Sequence, residues 1–143
     1  MTEFKKNFSG LLRVFVYGTL KPGEANYKSY CDGKVLNATE AFALGQLFAL
    51  PAGYPAMTLG NTPVYGYLLE FSSFDVLVEL DELEDYYPAR STSESLYIRQ
   101  QTKVYDLQGR SLGWAWVYLM TSNLVYKLGG TFLPDGWWSE NRK

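Results

Sequence analysis

Apolar and polar positions change period several times along this chain, and each change marks an element. Residues 11–17 read Leu-Leu-Arg-Val-Phe-Val-Tyr, a short, nearly unbroken apolar run that stops at Gly18. That pattern predicts a buried strand ending in a tight loop. Residues 25–31 fit a short helix closed by Asp32-Gly33. Residues 38–50 form a long strand pattern in which Gly45 predicts a bend or bulge. Pro51-Ala52-Gly53 is a turn, 54–59 a short extended piece, and Gly60-Asn61-Thr62-Pro63 a second turn. Apolar alternation returns over 64–71. One segment has clear helical spacing, 74–85, with Ser73 as the expected N-cap. Residues 97–106 and 112–120 pair as a hairpin about Leu107-Gln108-Gly109-Arg110. The chain from Gly129 onward is rich in Gly, Pro and Trp and predicts irregular structure. Residues 1–10 predict a mobile arm.

Strands interrupted by few helices define an α+β domain with a strongly curved, mainly antiparallel sheet. Periodicity leaves open whether that sheet closes into a barrel. On the helix, successive residues turn by ~100°. With Phe74 at zero, Val78, Leu77, Leu80, Val76 and Leu83 define a buried arc, and Asp75, Glu79 and Glu82 fall opposite it on a solvated face. Asp81 and Glu84 break the pattern by projecting inside the apolar arc, near ~340° and ~280°. A charge facing a core must be paired, hydrogen-bonded or neutral. Asp81 reads foremost as a structural hydrogen-bonding acid. Glu84 reads either as a helix end fraying into solvent or as a carboxylate at the mouth of a cleft, where its pKa rises.

The length of 143 residues predicts a single domain over 1–143. No apolar run approaches the ~20 residues of a membrane-spanning helix, and residues 1–10 are followed by no stretch of signal-peptide type. A cytoplasmic location is the expectation. The net charge of −2, with basic residues scattered, argues against a nucleic-acid partner. The chain has no histidine and one cysteine, Cys31. This removes Ser–His and Cys–His nucleophile pairs and His-ligated zinc, so Ser91, Ser93 and Ser95 have no activating base. Cys31 reads as a small core residue. The acidic run 79–85 lacks calcium-loop spacing and splays its charges around a helix, so no metal is expected. Most of the aromatic residues, 17% of the chain, read as core and rim packing.

Most strand–Gly–turn sequences only reverse the chain. A Gly beside a Thr at a strand mouth also has a second use, presenting backbone N–H groups to an anion. The choice is sharpened by the order of segments: Tyr17-Gly18-Thr19-Leu20, then Gly53-Tyr54-Pro55-Ala56, then Glu79-Leu80-Asp81-Glu82-Leu83-Glu84-Asp85-Tyr86-Tyr87, then Leu96-Tyr97-Ile98-Arg99. In order and spacing, from about residue 12 to about 118, this resembles the gamma-glutamylcyclotransferase-like (AIG2-like) family. Asp85 departs from that family, which often has Gly after the acidic residue.

The resemblance implies a small mixed barrel flanked by helices and a gamma-glutamylcyclotransferase. Such an enzyme cleaves a γ-glutamyl amide without water: the substrate's α-amine attacks its γ-carbonyl, releasing 5-oxoproline and an amine or amino acid. It implies Glu84 as the catalytic residue and the Tyr17, Gly18, Thr19, Leu20 loop as the substrate site, with Tyr97 and Tyr118 as pocket walls and no cofactor. Arg99 is either a substrate contact or a strand residue paired with an acid. The expected partner is a small γ-glutamyl molecule, with no nucleic acid and no membrane. Glutathione, γ-glutamyl amino acids and γ-glutamyl-ε-lysine all fit, and the sequence gives no oligomeric state. A non-catalytic binding module on the same fold, or a sugar-binding barrel built on the aromatics, is the competing reading.

Overall fold

The computed structural model describes residues 10–86 and 96–140. The expected arm, apart from Gly10, and Tyr87, Ser91, Ser93 and Ser95 lie outside the described residues. The elements run β1 (Leu12–Val16), α1 (Tyr27–Tyr30), β2 (Val35–Ala49), β3 (Pro55–Phe71), α2 (Asp75–Leu83), β4 (Ile98–Tyr105), β5 (Ser111–Leu119), α3 (Ser122–Lys127) and β6 (Thr131–Phe132).

The strands form one mixed sheet in the order β3-β1-β5-β4-β2-β6, and β2 also pairs with β3. Five strands therefore bend round into a barrel that is only partly closed. Two of its junctions rest on a single residue pair each: Val14 with Trp116 in the parallel β1–β5 contact, and Phe42 with Tyr105 between β2 and β4. The stacked rings of Phe42 and Tyr105, 5.2 Å apart, reinforce the second junction.

Residue period explains the two cores. Along β1, Leu12, Val14 and Val16 face a cluster shared with Val76 and Leu80 of α2. Phe15, with Tyr17 just beyond the strand, faces a cluster to which all five barrel strands contribute. A strand covered on both faces needs an unbroken apolar run, which is the pattern read at 11–17.

The residues expected as two strand pieces and a turn, 54–71, are instead one strand. Gly45 pairs with Thr62, yet Gln46 pairs with Thr58, so residues 59–61 leave the ladder as a bulge. Gly45 makes this possible, because a Cβ there would lie 2.6 Å from the Thr58 carbonyl oxygen. The Thr62 hydroxyl ties the bulge by donating to the Gly45 carbonyl at 2.6 Å.

Helix α2 also corrects its expected face. Val76 and Leu80 are buried, but Phe74 and Val78 are 39% and 62% exposed. The buried arc is narrower than the apolar arc and is centred toward Leu80, with Asp81 at its edge. Ser73 accepts from the Asp75 N–H at 3.1 Å, while Phe74 occupies the boundary position. Helix α3 was not anticipated. Its six residues are too few for a periodic signal, and its one cue is Thr121, whose hydroxyl accepts from the Leu124 N–H.

The tail is irregular apart from β6, as its composition predicts, but it is pinned to the barrel. β6 pairs with Phe48 and Ala49. The Leu133 N–H donates to the Leu47 carbonyl and the Tyr65 N–H to the Gly136 carbonyl, both at 2.8 Å. Leu133 and Trp138 join the barrel core.

Candidate active site

The last residues of β1 aim the chain across the barrel end, and the loop beyond turns sharply. The Lys21 N–H donates to the Gly18 carbonyl at 3.0 Å and the Asn26 N–H to the Thr19 carbonyl at 2.8 Å. The N–H groups of Gly18, Thr19 and Leu20 themselves are donated to no acceptor among the described residues. Gly18 has no Cβ because Pro55 stands against it: a Cβ would sit 2.6 Å from the Pro55 Cγ and 2.9 Å from its Cδ. Space, not an unusual φ, requires glycine here.

Opposite this loop stands the end of α2. The helix closes in a Schellman arrangement. The Tyr86 N–H donates to the Asp81 carbonyl at 2.8 Å, and the Asp85 N–H to the Glu82 carbonyl at 3.2 Å. Asp85 takes the left-handed conformation, φ 56°, that such an ending demands. It does so where glycine would be strain-free. Glu84, immediately before it, stays fixed at the helix cap rather than fraying.

A cavity of about 240 Å³ lies between loop and helix end. Every residue assigned to the site from sequence lines it: Tyr17, Gly18, Thr19, Leu20, Glu84, Tyr97 and Tyr118. Its other lining residues were not assigned from sequence. Tyr54 and Pro55 belong to the quoted Gly-Tyr-Pro-Ala segment, which was the signal for them. Leu83 and Leu96 likewise belong to quoted segments, each next to an assigned residue, whereas Asn26 carried no signal, because only chain folding brings it here.

Among the described residues, Glu84 is the only carboxylate lining the cavity. Its side chain has no hydrogen-bond partner among the described residues. Burial alone pushes its pKa up from 4.5 to about 7. The tyrosines are walls rather than acids. The Tyr17 hydroxyl donates to the Tyr118 carbonyl at 2.5 Å and accepts from the Met57 N–H at 3.3 Å. The Tyr97 hydroxyl donates to the Pro55 carbonyl at 2.6 Å. Desolvation raises the pKa of both phenols, with nearby Glu84 adding to it, so both stay neutral.

Asp81 accepts from the Tyr118 hydroxyl at 2.7 Å and lies 3.6 Å from the Arg99 Nε. It is the structural hydrogen-bonding acid expected, though its donor is a phenol. Burial raises its pKa, opposed by Tyr118 and then Arg99. Arg99 does not line the cavity. Its guanidinium lies 5.3 Å from the Tyr86 ring and 4.6 Å from that of Trp116. It is thus paired with an acid but mostly buried. Among the described residues no group of three or more His, Cys, Asp or Glu side chains converges as metal ligands. No described helix is long and apolar enough to cross a membrane.

A partly closed mixed barrel with a lone buried carboxylate facing a strand-end loop defines a class. Residues 14–140 match the family model described as "Gamma-glutamyl cyclotransferase, AIG2-like". The chain belongs to this family. It is 38% identical over 105 residues to the Gamma-L-glutamyl-butirosin B gamma-glutamyl cyclotransferase of Niallia circulans, a match spanning 73% of this chain and 65% of that protein. The fold is similar to that of an AIG2-like protein from Mus musculus, with TM-score 0.71, 21% identity, and coverage of 92% of this chain and 90% of the other. It is also similar to YkqA from Bacillus subtilis, with TM-score 0.61 and 23% identity, where 90% of this chain covers 39% of that one.

Proposed function

We propose that this chain is a γ-glutamyl cyclotransferase, cleaving a γ-glutamyl amide to 5-oxoproline and a free amine or amino acid. One observation carries the proposal. Among the described residues, Glu84 is the single cavity carboxylate and has no partner, it is raised to about 7 by burial, and it shares its cavity with the undonated N–H groups of Gly18, Thr19 and Leu20. The relative from Niallia circulans bears the name of an enzyme of this kind, and family membership supports the same activity.

The chemistry suits a chain without histidine. The nucleophile is the substrate's own α-amine, which at neutral pH is mostly ammonium. Glu84 takes a proton from that ammonium. The freed nitrogen attacks the γ-carbonyl carbon, and a tetrahedral intermediate forms. The bond to the leaving nitrogen then breaks as Glu84 returns that proton to it. Glu84 also relays to the departing amine the second proton, which the attacking nitrogen sheds in becoming the lactam N–H, so the amine leaves as ammonium. One C–N bond is made and one is broken, and no water is consumed. A base with pKa near the working pH performs both transfers well. The Gly18–Leu20 amides hold the glutamyl α-carboxylate, and Tyr17, Tyr97 and Tyr118 wall in the folded chain, an orientation advantage for ring closure. No metal or cofactor takes part, and the setting is cytoplasmic.

The test is release of 5-oxoproline from γ-glutamyl compounds by the pure protein. The panel includes glutathione, γ-glutamyl amino acids, γ-glutamyl-ε-lysine and gamma-L-glutamyl-butirosin B, the compound in the relative's name. Glu84→Gln keeps the shape and removes the base. Turnover should fall at least ~100-fold with circular dichroism unchanged. Turnover within threefold of wild type would remove Glu84 from the catalytic role. No release from any compound would leave a binding module on the same fold.

A further inference from the structure

Asn26 lines the cavity, and no role for it follows from the mechanism above. It makes two bonds to Thr19. Its backbone N–H donates to the Thr19 carbonyl at 2.8 Å, and its side-chain Nδ2 donates to the Thr19 Oγ1 at 2.9 Å. The second bond has a directional consequence. A hydroxyl carries one proton and two acceptor lone pairs. With one lone pair engaged by Asn26, the Thr19 proton must point elsewhere. Thr19 Oγ1 donates to no acceptor among the described residues, and Thr19 lines the same cavity as the undonated N–H groups beside it.

We infer that Asn26 is a positioning residue that turns the Thr19 hydroxyl into a hydrogen-bond donor for the α-carboxylate of the γ-glutamyl group. Three backbone N–H groups and one oriented O–H then converge on one anion. A hydrogen bond to a charged partner is stronger than a neutral one. The orientation set by Asn26 spares the substrate the entropy of fixing the rotor. The inference deepens the proposed function and rests on it for the identity of the anion.

The experiment reads binding, so that it separates from catalysis. The probes are 5-oxo-L-proline, which keeps the carboxylate, and 2-pyrrolidinone, the same ring without it. Calorimetry is run on wild type, Asn26→Ala, Thr19→Val and the double variant, each shown folded by its thermal melt. Thr19→Val should weaken 5-oxo-L-proline about tenfold, the loss of one bond to a charged group, and Asn26→Ala about threefold, the cost of fixing a rotor with three staggered wells. The double variant should be no worse than Thr19→Val, because Asn26 acts only through the Thr19 hydroxyl. Binding of 2-pyrrolidinone should not change. Thr19→Ser, which keeps the hydroxyl, should bind like wild type. Asn26→Asp, whose carboxylate would accept the Thr19 proton, should lose at least as much as Asn26→Ala. This variant also serves if Asn26→Ala melts early. The inference is overturned by losses that add in the double variant, by Asn26→Ala or Asn26→Asp within twofold of wild type, by equal losses for 2-pyrrolidinone, or by no binding of 5-oxo-L-proline at all. A wild type that binds with this pattern yet turns over no γ-glutamyl amide would instead end the proposed activity.

Discussion

Two residues decide the site at the smallest scale, Glu84 and Gly18. Glu84 carries a burial cost that shows in both rate and stability. A base works only when deprotonated, so turnover should fall as pH drops through about 7, and that limb should be absent from the residual rate of Glu84→Gln. An unchanged limb in the variant would assign it to another group. The sign for stability is the reverse. The folded protein holds the Glu84 proton more tightly than the unfolded chain does, because its pKa rises from 4.5 to about 7. Stability from this group is therefore lost as pH rises through that window, by about 3 kcal/mol at most. Glu84→Gln should accordingly melt higher than wild type at pH 8 and gain little at pH 4. For Gly18, the Pro55 ring 2.6 Å from any Cβ leaves no room. Gly18→Val should cost about 1–3 kcal/mol by overpacking and abolish binding of a γ-glutamyl ligand. Wild-type binding by that variant would make the loop a mere turn.

At the scale of elements, the end of α2 aims Glu84 into the cavity. Its wheel placed Asp81 and Glu84 on the apolar side, and the structure puts one against Tyr118 and the other in the cavity. The wheel failed for Phe74 and Val78, because the helix packs through a stripe narrower than its apolar arc. Asp85 shows how a departure from a family pattern is absorbed. A left-handed residue is needed at that position, and Asp, unlike most side chains, tolerates it. Asp85→Gly should therefore retain turnover within about threefold. Asp85→Val, β-branched at positive φ, should lose about 1–2 kcal/mol and slow turnover through a misaimed Glu84. Equal melting temperatures for the Gly and Val variants would contradict this account.

Over the whole molecule, the tail is irregular apart from β6, as its composition predicts, yet it is tightly packed. Gly, Pro and Trp gave no period, yet this segment braces the loop after β1. Lys21 is buried, donates to the Trp138 carbonyl and has its ammonium 4.3 Å from the Trp137 ring. Burial lowers its pKa, and Glu24 at 3.6 Å opposes that shift. The Glu140 N–H donates to the other Glu24 oxygen at 3.2 Å. Trp138→Ala should cost about 3–5 kcal/mol. It should raise KM more than it lowers kcat, since it loosens the loop and leaves Glu84 in place. A variant of unchanged KM would confine the tail to a packing role.

The sequence by itself determined what is local. An apolar run fixed β1, 3.6-residue spacing fixed α2, and the absence of histidine fixed which chemistries are open. Segment order pointed to the family and to the residues that share the cavity. Tertiary structure alone decided what depends on chain segments far apart meeting. The closure of the sheet rests on single pairs such as Phe42 with Tyr105, and no period encodes a pair. The bulge at 59–61 arises from the approach of Gly45 to Thr58, distant partners across a hairpin. The pKa of Glu84 is a property of the walls around it, and those walls come from five separate parts of the chain. Side-chain type and spacing propagate over a few residues, whereas desolvation and ring closure of a sheet are sums over neighbours that only the fold brings together.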